Sequence, residues 1–92
     1  MDIQLPQTLV NRNISIINPA SGQSHRTSIR LEEIEWKALN QICAEENISV
    51  NEFCCRVDRD GNRKEHSRTS RIRSAILDHF RSRCLRSDGY NA

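Results

Sequence analysis

Aromatic residues are scarce in this chain: four in 92, namely Trp36, Phe53, Phe80 and Tyr90. So little aromatic area leaves a thin core, and thin cores are often completed by a second chain. No apolar run approaches the about 20 residues that a membrane-crossing helix needs. Met1 to Val10 lacks the basic start and apolar stretch of a secretory signal. Cys43, Cys54, Cys55 and Cys84 form no Cys-x-x-Cys pair, which weakens a structural zinc site. Without the spacing of a disulfide framework, they read instead as free thiols, with Cys43, Cys54 and Cys84 on apolar helical faces. No nucleophile stands at an interpretable spacing from a base, which argues against an enzyme. The expectation is one small, soluble, cytoplasmic domain with no catalytic residue, no metal and no cofactor.

Charge is present but unevenly placed. The formal net charge is +2, yet residues 1–31 carry +2, residues 32–52 carry −5 and residues 53–92 carry +5. Twelve of the fourteen cations are arginine, whose planar fork suits phosphate and guanine edges. The pI of about 8.5 falls short of the usual nucleic-acid footprint, so charge alone favours a solvated surface over a nucleic-acid partner.

The order of residues is more specific. Residues 1–24 form a polar leader in which Asn13 to Ile17 alternates, with Ile14 and Ile16 on one side, predicting a short strand at 13–17. Asn18-Pro19-Ala20-Ser21-Gly22 reads as a turn. His25 to Leu31 alternates again: Thr27, Ile29 and Leu31 face one way, Arg26, Ser28 and Arg30 the other. A helix over about 32–46 follows, opened by Glu32, Glu33 and Glu35 and carrying Ile34, Trp36, Ala38, Leu39, Ile42 and Cys43 on a broad apolar face. Asn47 suits the left-handed reversal that ends helices. Ser49 and Glu52 have the spacing of a capping box, Ile48 and Phe53 that of a hydrophobic staple, and Val50, Phe53, Cys54 and Val57 the spacing of a short amphipathic helix ending near 58–60. After a polar loop, Ser67 caps a third helix over about 68–84 with Ile72, Ala75, Ile76, Leu77, Phe80 and Cys84 on its apolar face. Residues 87–92 read as a flexible tail. A single strand has two unpaired edges, so the 25–31 strand must pair either with the 13–17 strand or with its own copy.

The run Arg26-Thr27-Ser28-Ile29-Arg30-Leu31, an amphipathic helix, then Asn47-Ile48-Ser49-Val50-Asn51-Glu52 and a second helix resembles the ribbon-helix-helix DNA-binding family, that of the Arc and methionine repressors. The resemblance covers residues 25–58 and extends loosely to the third helix, as in a bacterial or phage subgroup. It implies a mainly α fold with a short β ribbon and an additional C-terminal helix, built as an intertwined homodimer over residues 25–86. Two 26–31 strands would pair antiparallel and enter the major groove of double-stranded DNA, with Arg26, Ser28 and Arg30 facing the bases. Ser49, Val50 and Asn51 at the second helix's N-terminus would hold a phosphate. Arg59, Arg63, Lys64, Arg68 and Arg71 would touch flanking phosphates or an acidic partner. A 13–17 strand added to the outer edge would widen the ribbon to four strands. The function implied is a sequence-specific transcriptional repressor. The alternative is a protein-binding module on the same scaffold, antitoxin-like or a phage or plasmid inhibitor, using the leader or the third helix.

Overall fold

The computed structural model describes residues 8–88; residues 1–7 of the leader and 89–92 of the expected tail lie outside the described residues. Two strands, β1 (Leu9–Ile17) and β2 (Ser24–Glu32), are followed by α1 (Glu33–Glu46), α2 (Val50–Arg59) and α3 (Arg68–Asp88). β1 and β2 form a two-stranded antiparallel hairpin, with Asn11 opposite Arg30, Asn13 opposite Ser28 and Ser15 opposite Arg26. The hairpin closes through Asn18, whose N–H donates to the Gln23 carbonyl at 2.7 Å and whose side-chain Oδ1 accepts from Ala20 N–H at 2.9 Å. Gly22 sits there at φ 76°, a conformation glycine adopts without strain.

Within the chain, β1 pairs with one edge of β2, the first of the two pairings open to the 25–31 strand. The physical reason is proximity: a six-residue turn closes at small entropic cost. β1 is also nine residues long, so it begins well before the expected 13–17 segment.

Alternation then decides what is buried. Ile14 and Ile16 from β1 and Ile29 and Leu31 from β2 form the inner face, covered by Trp36, Leu39, Ile42 and Cys43 of α1, Phe53, Cys54, Cys55 and Val57 of α2, and Ile72, Ala75 and Ile76 of α3. Ile29, Leu31, Leu39, Ile42, Ile72 and Cys54 are fully buried within one chain. At roughly 1.5–3 kcal/mol per buried aliphatic side chain, this is the chief source of stability.

The helix ends are chemically defined. Glu32 caps α1: its side chain accepts from the Glu35 N–H, and the Glu35 carboxylate accepts from the Glu32 N–H at 2.7 Å, so the reciprocal capping box stands here. At α2 only half of the expected box forms. Ser49 Oγ accepts from Glu52 N–H at 3.0 Å, but the Glu52 carboxylate turns to Arg56 at 2.9 Å and Arg59 at 3.6 Å. Asn47 ends α1 at φ 56°. Ser67 Oγ accepts from Ser70 N–H at 3.1 Å at the start of α3.

α3 lies alongside α1 in the same direction. Arg73 meets Glu35 near the start of α1, and ten residues later Arg83 meets Glu45 at its end. Three residues expected on apolar faces are therefore exposed. Ile34 lies off the Trp36–Leu39–Ile42 stripe, Leu77 points away from α1's buried side, and Cys84 follows the point where α1 has ended. Cys55 is buried instead, because β1 covers its side of α2; its thiol donates to the Ser15 carbonyl at 3.7 Å.

Candidate nucleic-acid interface

The outer face of the hairpin is polar and open. Arg26, Ser28 and Arg30 on β2, and Asn11 and Asn13 on β1, are all exposed. Among the described residues neither Arg26 nor Arg30 has a carboxylate within ion-pair distance, whereas most other arginines do. Ser28 Oγ donates to Asn13 Oδ1 across the ladder at 2.8 Å.

α2 stands against the β1 edge. Asn51 Oδ1 accepts from Ser15 N–H at 3.1 Å, so half of this side chain's polar capacity serves the fold. The first-turn N–H groups of Val50 and Asn51 have no partner inside the helix, as at any helix start. They border a hollow of about 250 Å³ with Arg12, Asn40 and Ser49 at its rim. The Arg12 guanidinium lies over the Trp36 ring at 5.4 Å from its centroid. Arg12 is a functional candidate that reading the sequence missed. Its signal is there: a cation in the alternation position otherwise held by Ile14 and Ile16.

The β2 edge is flanked by α3. Arg73 donates to the Arg30 carbonyl at 3.4 Å and to Glu35 at 3.3 Å; Arg68 reaches Thr27 Oγ1 at 3.5 Å and Asp58 at 2.9 Å. These pairings change the picture of the flanking cations. Arg59 pairs with Glu52, Arg63 with Asp78 at 3.2 Å, and Arg68 and Arg71 share Asp58. Arg63, Arg68 and Arg71 thus tie the loop and α3 in place, while Arg59 pairs within α2. Lys64 alone of the five is exposed without a carboxylate partner among the described residues. The Arg68 hydrogen bond holds the Asp58 carboxyl below the usual carboxylate range.

The thiols offer no reactive centre inside the body. Burial pushes Cys54 up to about 12 and raises Cys43, helped by the nearby Glu46 charge. His79 lies between Glu45 and Glu46, 3.6 Å from each, with its ring edge-on to Phe80.

A family model described as a ribbon-helix-helix domain matches residues 9–80. The chain belongs to the ribbon-helix-helix family. This is a family of DNA-binding regulators, and the match takes in β1 and most of α3 as well as the ribbon, α1 and α2. Comparison with curated proteins and with solved structures returns no significant match. No helix among the described residues is long and apolar enough to cross a membrane.

Proposed function

We propose that this ribbon-helix-helix protein is a sequence-specific transcriptional repressor that inserts its own β1–β2 hairpin into the major groove of double-stranded DNA. The observation that carries the reading is the outer ribbon face, where Arg26 and Arg30 stand exposed and unpaired by any described carboxylate on either side of Ser28. Arginine donates two hydrogen bonds to guanine O6 and N7, and a two-stranded ribbon fits a groove about 12 Å wide. The α2 N-terminus, with Ser49, Val50, Asn51 and Arg12, lies beside the ribbon where a backbone phosphate would pass.

Ribbon-helix-helix proteins typically bind DNA as dimers, and we place the homodimer contact away from the ribbon. Pairing two β2 strands would give four strands with about 14 Å between the outer axes, too wide for the groove. The apolar hollow between α1 and α3, about 370 Å³ and lined by Ile34, Ala38, Leu77 and Phe80, suits a second copy, because the exposed Ile34 and Leu77 border it on the same chain. The same hollow favours the second reading, a protein-binding module of antitoxin or inhibitor type. Such a regulator would work in the cytoplasm of a bacterial or phage-infected cell.

Selection from random duplex DNA at moderate salt, beside a mass measurement in solution, tests the reading. An enriched motif and a dimeric mass are expected. No enriched motif overturns the repressor. A stoichiometric protein partner whose binding is unaffected by Arg26→Ala and Arg30→Ala favours the module.

A further inference from the structure

We infer that β1 supplies a second row of base-reading groups, with Asn13 reading an adenine and Ser28 positioning it; this rests on the DNA-reading function proposed above. Both the N–H and the carbonyl of Ser15 turn away from β2, toward Asn51 and Cys55 of α2. Ser15 and Arg26 are therefore a non-hydrogen-bonded pair of the antiparallel ladder, and by alternation so are Asn13–Ser28 and Asn11–Arg30. Side chains approach most closely in such pairs, and the 2.8 Å bond between Ser28 and Asn13 follows.

That bond changes what each group offers. The Ser28 proton is committed to Asn13, so Ser28 is a positioning residue rather than a free donor to a base. Asn13 keeps both amide N–H donors and one lone pair on Oδ1. A donor beside an acceptor is the complement of the adenine edge in the major groove, which presents N7 and the N6 amino group. With the carboxamide already oriented, less ordering entropy is lost on binding. Along the strand, Arg26 and Arg30 each lie two residues from Ser28, roughly 7 Å, which is about two base-pair steps. The arrangement predicts an A·T pair between two G·C positions.

The test is selection from random duplexes by the full chain and by Asn13→Ala, Asn13→Asp, Ser28→Ala, Arg26→Ala and Arg30→Ala variants, with thermal midpoints measured on each. The aspartate variant keeps an acceptor for Ser28 but loses the amide donor, so it separates base reading from hairpin integrity. Expected for Asn13→Ala and Asn13→Asp is loss of preference at one A·T position and weakening of the wild-type site by about 5- to 150-fold. Ser28→Ala should relax the same position by a smaller factor, about 3- to 10-fold, with no further effect when Asn13 is already alanine. If Asn13 variants keep the motif, or weaken all sequences equally, the Asn13 assignment is overturned while Arg26 and Arg30 variants still alter their own positions. If the wild-type chain enriches no motif, the DNA-reading function itself fails.

Discussion

Trp36 of α1 donates its indole N–H to the Val10 carbonyl of β1 at 2.9 Å, tying the first strand to a helix 26 residues later. Its ring is buried beneath Arg12, so one side chain fastens the hairpin, fills the core and supports a cation at the α2 N-terminus. Trp36→Phe keeps most of the ring and loses the hydrogen bond. A loss of about 0.5–1.5 kcal/mol is expected in urea unfolding. Trp36→Ala should cost about 3–5 kcal/mol through the cavity it leaves.

Arg30 and Arg12 should fail in different ways. Arg30→Ala is expected to cost about 1–3 kcal/mol on the selected site and to relax a single base position. Arg12→Ala should weaken binding to all sequences alike and reduce the slope of log affinity against log salt by about one counterion. Equilibrium binding at several salt concentrations on specific and scrambled duplexes separates the two.

Asp58 couples stability to acid. Its carboxyl, three-quarters buried, accepts from Arg68 and lies within 3.6 Å of Arg71. Because its folded pKa lies below the unfolded value of about 3.9, the charged form stabilises the fold above that pH, and this contribution is lost as pH falls through the folded pKa. Asp58→Ala should lower stability by about 1–2 kcal/mol at pH 7, allowing for partial solvent screening, and by progressively less below pH 4. Thermal unfolding across pH 2–7 measures the difference. An unchanged difference at pH 2 would count against the pairing.

Thiol labelling should report the fold directly. Cys84 is exposed, whereas Cys43, Cys54 and Cys55 are buried. A disulfide-exchange reagent at pH 8 is expected to modify one thiol quickly in the native protein and all four in denaturant. Rapid native modification of Cys54, whose pKa stands at about 12, would contradict its packing.

Much of the local structure was legible because its causes are local. The alternation of Ile14 with Ile16 and of Ile29 with Leu31, the Ser49 and Ser67 caps, and the reversal at Asn47 each depend on neighbours within a turn or a pleat. Periodicity misjudged Ile34, Leu77, Cys55 and Cys84 because it orders the faces of an element without saying which neighbour covers each face. The outward Arg-Ser-Arg face was readable for the same reason: a pleat alternates whatever its partner.

By itself, then, the sequence determined the elements, their inward and outward faces and the family to which they belong. Only the tertiary structure decided which strand pairs with β2 within the chain, which arginines pair with Asp58, Asp78, Glu35 and Glu52, and that Asn13 stands bonded to Ser28. Those choices join residues 7 to 38 positions apart, where chain closure, burial and charge pairing compete across the whole molecule and no short-range pattern records the winner.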